Sequence, residues 1–308
     1  MCGIAALQIR NPALRDALGM YMHGMLCEIV ERGPDSAGIA LYGSERMTPD
    51  GTSTVTVIGD LDPYALTTAL DAALPGASPT VSVYAESVLI NAATDAGSLE
   101  SAVRASLPSA HIIGRGQNVA VLKGVGHPVE LADVYGLTDI SGTQALSHTR
   151  MATESAVTAA GAHPFTVAED LCLVHNGSFS NHASIRRALR ADGVEFDSEN
   201  DSEVAARYIA AQMAAGDDLT TALGHLQDVF DGFYTLVVTT ADSMAVVRDP
   251  IACKPAIIAE TDDWVAMASE YRALAGLPGI ESARVFEPAP GVVYTWRLDA
   301  PVLEGAER

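Results

Sequence analysis

A thiol, two guanidinium groups, an Asn-Gly pair and two aspartates stand at positions in this chain where they could do chemistry together. Cys2-Gly3-Ile4 follows the initiator directly. Once Met1 is removed, Cys2 carries a thiol and a free α-amine on one carbon. The amine, with a reference pKa of about 7.7–8.0, is partly unprotonated at neutral pH and can take the thiol proton, directly or through one water, then return it to a leaving amine. Alone, Cys2 reads as a small buried hydrophobe opening a strand, because most free cysteines are inert. Its company decides between the two. Arg32-Gly33-Pro34-Asp35-Ser36 places a cation and a carboxylate at a turn between a helix and a strand, where Arg32 and Asp35 can hold a cleft in shape. Arg150 ends a predicted strand, and its planar fork suits a substrate carboxylate.

These residues need elements to position them. Residues 2–9 are an apolar run that predicts a buried strand. Asn11-Pro12 opens a helix whose apolar stripe runs through Leu18, Met22, Met25, Leu26 and Ile29 and stops before Gly33-Pro34. Ile39–Tyr42 and residues 143–150 read as strands and 128–136 as a helix. Leu173–Phe179 is a strand containing Asn176-Gly177, in itself a common hairpin signal. Helices follow over about 180–192 and after Ser198-Glu199-Asn200-Asp201-Ser202-Glu203, where Asp201 or Ser202 reads as the N-cap. Between 51 and 124, strands at Thr54–Gly59, Thr80–Ile90 and Asn118–Lys123 alternate with helices at 63–74 and 98–107, which predicts a small α/β insertion; Gly114-Arg115-Gly116 reads as a turn.

Composition sets the outer bounds. The 308 residues are 48% hydrophobic and 19% charged, enough apolar material for a substantial core. Against 39 acidic side chains stand 18 basic ones, and the resulting charge of −21 argues against nucleic acid and anionic membrane surfaces as partners. No apolar run reaches transmembrane length and no signal-peptide pattern opens the chain, so a cytoplasmic protein is expected. The four cysteines are scattered and none sits at metal-ligand spacing, so neither a metal site nor a disulfide framework is expected.

Taken in order, Cys2-Gly3-Ile4, Arg32-Gly33-Pro34-Asp35-Ser36, His148-Thr149-Arg150-Met151-Ala152-Thr153, Ala162-His163-Pro164-Phe165, His175-Asn176-Gly177 and Asp201-Ser202-Glu203 resemble the class II glutamine amidotransferases, members of the N-terminal-nucleophile hydrolases. The resemblance covers roughly residues 2–43 and 120–280. It implies a four-layer α/β/β/α sandwich of two antiparallel sheets in a single domain over 1–308, with 51–124 outside the shared part. It also implies roles: Cys2 as nucleophile, Asn176 and Gly177 as oxyanion donors, Arg150 and Asp201 on the α-carboxylate and α-ammonium of glutamine, and Thr153 and His163 beside the pocket. Met151 stands where several members carry an aromatic residue.

The implied activity is hydrolysis of the glutamine side-chain amide, with no cofactor in this chain. Since no acceptor domain fits after residue 300, the ammonia would pass to a separate synthase subunit. The wording from His148 to Ser155 is most similar to the free-standing subunits of glutamate-synthase-like complexes such as N-methylglutamate synthase. Two alternatives share the fold: a free-standing γ-glutamyl amide hydrolase and a non-catalytic regulatory subunit.

Overall fold

A computed structural model describes residues 2–59, 61–151 and 157–300. In chain order the elements are β1 (Gly3–Ile9), α1 (Leu18–Ile29), β2 (Ser36–Tyr42), β3 (Ser53–Ile58), α2 (Pro63–Ala73), β4 (Thr80–Tyr84), β5 (Ser87–Ala92), α3 (Ala96–Ser106), β6 (His111–Gly116), β7 (Val119–Val125), α4 (Pro128–Val134) and β8 (Gln144–Arg150). They continue with β9 (Phe165–Ala168), β10 (Leu171–Phe179), α5 (His182–Ala191), α6 (Asp201–Ala214), α7 (Leu219–Val229), β11 (Gly232–Thr239), β12 (Ser243–Arg248), β13 (Ile257–Glu260), β14 (Trp264–Ala268), β15 (Arg284–Phe286) and β16 (Val293–Arg297).

Two antiparallel sheets stack face to face, one in the order β15-β13-β14-β1-β8-β2-β7 and the other β16-β12-β11-β10-β9. Period-2 alternation explains the stacking. Ile4, Ala6 and Leu146 of the first sheet meet Cys172, Val174, Val237 and Val246 of the second in one apolar layer. Leu7, Ile39 and Leu41, on the opposite face, receive Leu18, Met22, Met25 and Leu26 of α1. Leu173, Leu236 and Val238 receive Val204, Ile209, Leu223 and Leu226 of α6 and α7. The result is the expected α/β/β/α sandwich. Asn11 accepts from the Ala13 N–H as anticipated, although the first turn is a 3-10 helix that becomes α-helical at Leu18.

Residues 53–116 form a third, four-stranded antiparallel sheet, β4-β5-β3-β6. Its own core joins Val55, Val57, Val88 and Ile90 to Leu66 and Leu70 of α2 and Leu99 and Val103 of α3. Three local expectations are corrected here. Thr80–Ile90 is not one strand but a hairpin, β4–β5, turning at Ala85, whose φ is +51°. Gly114-Arg115-Gly116 is not a turn but lies in β6, paired with Val55 and its neighbours. β7, at the expected Asn118–Lys123, pairs with β2 and belongs to the seven-stranded sheet. No helix among the described residues is long and apolar enough to cross a membrane.

Candidate active site

The site is built at the first residues of β1, which runs between β8 and β14 with Gly3 opposite Thr149. The loop after β14 grips this start. Ile4 N–H donates to Ser269 Oγ at 2.9 Å, and Ser269 N–H donates back to the Ile4 carbonyl at 3.0 Å. The Cys2 carbonyl accepts from Arg32 Nε at 3.0 Å and from Asn176 Nδ2 at 3.2 Å. Arg32 is itself held by Glu270, with Nη1 2.7 Å from Oε1. That hydrogen bond draws the Glu270 carboxyl below its ordinary range, with Arg272 adding to the effect. Cys2 is partly exposed and carries no disulfide. The arrangement fixes its backbone while the residue remains partly exposed.

Asp35 and Arg150 meet through the backbone. Asp35 N–H donates to the Arg150 carbonyl at 3.1 Å, and Pro34 bridges to Arg150 beside it. Gly33 permits this approach, since a Cβ there would stand 2.5 Å from the Arg150 nitrogen. Arg150 Nη1 donates to the Gly161 carbonyl at 3.4 Å, which ties the strand end to the segment preceding β9. Thr153 lies outside the described residues.

Asn176 and Gly177 sit on β10 opposite Thr235 and Tyr234 of β11. The amide of Asn176 has two N–H donors, and one is committed to the Cys2 carbonyl. Gly177 has a φ of +155°, and a Cβ there would lie 2.0 Å from the Phe233 carbonyl oxygen. Only glycine fits, and its backbone stays open to close approach from the cleft side.

Asp201 is the first residue of α6, and its Oδ2 accepts from the Phe179 N–H at 3.0 Å, two residues beyond Gly177 on the same strand. Neither Asp201 nor Ser202 is the N-cap; Asn200 takes that role, accepting from Ser202 N–H at 2.8 Å. Three consecutive residues here can cap, and the first one does. Asp201 and Ser202 are thereby released for other work. Ser202 Oγ stands 2.9 Å from both His163 Nε2 and His175 Nδ1, and 3.4 Å from Asp201 Oδ1. His163 therefore lies behind Asp201, joined to it through a hydroxyl. Glu203 completes the motif by accepting from the Asp197 and Ser198 N–H groups at 2.8 and 2.7 Å and pairing with Arg207.

His148, His163 and His175 are all buried, with the His148 and His163 rings 4.2 Å apart. Desolvation and mutual repulsion push His148 down to about 3 and His163 well below its ordinary value. His175 falls to about 4, where desolvation outweighs the pull of Asp201. All three are neutral at physiological pH. Both ring nitrogens of His148 lack a hydrogen-bond partner among the described residues. The sequence marks these histidines, but nothing in it announces that two of them converge on Ser202. No cluster of three His, Cys, Asp or Glu among the described residues could hold a metal.

The fold belongs to the class of N-terminal-nucleophile amidotransferase domains. It is similar to the glutamine phosphoribosylpyrophosphate amidotransferase of B. subtilis (TM-score 0.62, 19% identity, 99% of this chain and 48% of that one). It is also similar to a structure described as the allosteric regulatory enzyme of purine biosynthesis (TM-score 0.63, 18% identity, 98% and 50%). The chain spans about half the length of those two proteins. At the level of sequence, residues 132–287 match the glutamine amidotransferase domain, and the chain belongs to that family, in its class II branch. It is 45% identical over 300 residues to the glutamine amidotransferase-like protein GlxB of Rhizobium meliloti, covering 96% of this chain and 98% of that protein. A putative glutamine amidotransferase of Methanothermobacter thermautotrophicus is 29% identical over 97% of this chain and 100% of that protein.

Proposed function

We propose that the chain hydrolyses the side-chain amide of glutamine through Cys2 and delivers the ammonia to a separate synthase subunit. The observation that carries this reading is the convergence on the Cys2 carbonyl, where Arg32 and the Asn176 amide both donate, so that an oxyanion donor stands beside the nucleophile's own backbone. The Cys2 thiol loses its proton to the α-amine freed by removal of Met1, and the thiolate attacks the amide carbon of glutamine. The second N–H of Asn176 and the Gly177 N–H receive the developing oxyanion, each worth roughly 2.7–4 kcal/mol in a preorganised site. The α-ammonium returns its proton to the amide nitrogen and ammonia leaves. Water then cleaves the γ-glutamyl thioester, releasing glutamate and restoring the thiol.

Arg150 and Asp201 select the substrate by pairing with the two charges of a free amino acid. A peptide or simple amide leaves them unpaired, which a site built for polar contacts penalises strongly. Separate delivery to a synthase is supported by the resemblance to free-standing subunits and by the match to GlxB over nearly the whole of both chains. Cys2→Ala is expected to lower glutaminase turnover by at least about 10³-fold while glutamine still binds, as removal of a nucleophile does elsewhere. Glutamate release at the wild-type rate from this variant would overturn the nucleophile assignment. Purification from the native source should bring down a synthase chain; turnover of γ-glutamyl conjugates with no such chain would instead favour the free-standing hydrolase.

A further inference from the structure

A cavity of about 540 Å³ lies where β6 and β7 meet β9 and the segment before it. Cys2, Arg150, Asn176, Gly177 and Asp201 are not among its described lining residues, so it is distinct from the site above. Lys123 of β7 lines it and is only 2% exposed. Its ammonium sits 5.0 Å from the centre of the Phe165 ring and has no hydrogen bond or ion pair among the described residues. Glu203, an acid whose charge acts on Lys123, is already committed to the Asp197 and Ser198 N–H groups and to Arg207. A buried cation without an anion is costly, and here it borders a cavity whose volume lies in the usual range for small-molecule sites, about 300–1,000 Å³.

We propose that this cavity is a second ligand site, taking a small α-amino acid with an apolar side chain whose carboxylate pairs with Lys123. Ile113, Phe165 and Val167 supply apolar walls for the side chain, while exposed Glu86 favours the ammonium; Asp197, also in the lining, is paired with Arg207 at 2.7 Å. One lining cation with Glu86 beside it, on a chain of formal charge −21, disfavours phosphates and dicarboxylates.

The cavity does not touch the charge-reading groups of the glutamine site, but two of its lining residues adjoin them. Gly161 lines it and accepts from Arg150 through its carbonyl; Glu203 lines it two residues after Asp201. Occupancy therefore changes glutamine affinity, a coupling that rests on the glutaminase reading, whereas binding itself does not.

Calorimetric titration of the full-length protein with L-leucine, L-methionine and L-phenylalanine tests the site, with isoamylamine as the control lacking a carboxylate. Saturable binding of at least one amino acid, weakened at least about tenfold by Lys123→Met and little changed by Asp201→Asn, is the expected result. Ile112→Trp, which narrows the cavity from a partly exposed wall and keeps the charge, should cause a similar loss; it decides the matter should Lys123→Met fail to fold. Burial holds the Lys123 amine at about 7, against the opposing pull of the Cys172 thiol on β10 and Glu203 on α6, with neutral His163 alongside. Affinity should therefore fall about tenfold for each pH unit above that value, as the ammonium is lost. Absence of binding by all three amino acids, binding of isoamylamine in their place, or affinity indifferent to Lys123→Met and Ile112→Trp overturns the proposal. Loss in Asp201→Asn as severe as in Lys123→Met also overturns it, by placing the probe in the glutamine pocket. None of these measurements depends on turnover, so failure of the glutaminase reading would show separately in the Cys2→Ala assay.

Discussion

The Cys2 end of the sandwich and the four-stranded unit of residues 53–116 are built from strands of similar length, yet they handle buried polarity in opposite ways. In the small unit the polar groups inside the sheet find partners within it or on the adjoining β7: Thr54 Oγ1 donates to Asn91 Oδ1 at 2.6 Å, Ser53 Oγ to the Thr94 carbonyl at 2.7 Å, and Ser87 pairs with the Lys123 backbone at 2.9 Å. Its remaining interior is Val, Leu, Ile and Ala. Around Cys2, Arg32 and Asn176 are drawn to one carbonyl from distant parts of the chain, and three imidazoles are kept neutral by burial. Buried polar groups without partners each cost about 1–3 kcal/mol. The sandwich carries that cost, partly at His148, His163 and His175 beside the candidate site, and among the described residues of the small unit no buried side-chain polar atom lacks a partner.

Asp201→Asn gives the largest expected effect on the polar side of this contrast after Cys2→Ala. The asparagine retains a carbonyl oxygen for the Phe179 N–H, so the strand end stays held, but the negative charge proposed to meet the α-ammonium of glutamine is gone. Truncating one partner of a buried charge pair costs about 2–5 kcal/mol, or roughly thirtyfold to several-thousandfold in kcat/KM. Steady-state kinetics should show most of it in KM. An unchanged KM would remove Asp201 from the site and weaken the distinction between the two regions.

Acid should separate the regions next. The buried imidazoles have folded-state pKa values below the unfolded value of about 6.5, so between that value and about 4 the unfolded chain binds more protons than the folded one. Stability conferred by the neutral histidines is thus intact above pH 6.5 and lost as pH falls toward 4. His175 contributes in this direction because desolvation outweighs the pull of Asp201. Hydrogen exchange at pH 5 against pH 7 should show protection falling in β8 and β10 and persisting in β3 and β5. Equal loss in both would mean that the unit has no stability of its own.

Much of this contrast was legible in the residues. Cys2, Arg150, Asn176-Gly177 and Asp201 stand in ordered motifs, and α1, α2 and α3 follow from caps and apolar spacing. The β4–β5 turn escaped because Ala85-Glu86 contains none of the usual turn residues, although Ala85 takes a positive φ. β6 escaped for the opposite reason: Gly114 looks like a breaker but is a packing residue, since a Cβ there would stand 2.8 Å from the Val121 Cβ. The meeting of His163 and His175 at Ser202 joins three separate segments, and such convergence leaves no periodic trace in a single chain.

Leu99→Ala should have the smallest effect on glutamine hydrolysis and the clearest on the other region. Leu99 is fully buried between α3 and the small sheet, within a core separate from those of the sandwich. Deleting a buried leucine side chain costs about 2–5 kcal/mol through lost transfer energy and the cavity left behind. Because the loss falls on contacts internal to residues 53–116, protection in β3 and β5 should drop while kcat and KM for glutamine stay within about twofold, the additivity expected of sites with no shared partners. A matching fall in glutaminase activity would show that the small unit supports the Cys2 cleft mechanically, most directly through Ser87, whose Oγ both donates to the Lys123 carbonyl and accepts from the Lys123 N–H, each at 2.9 Å.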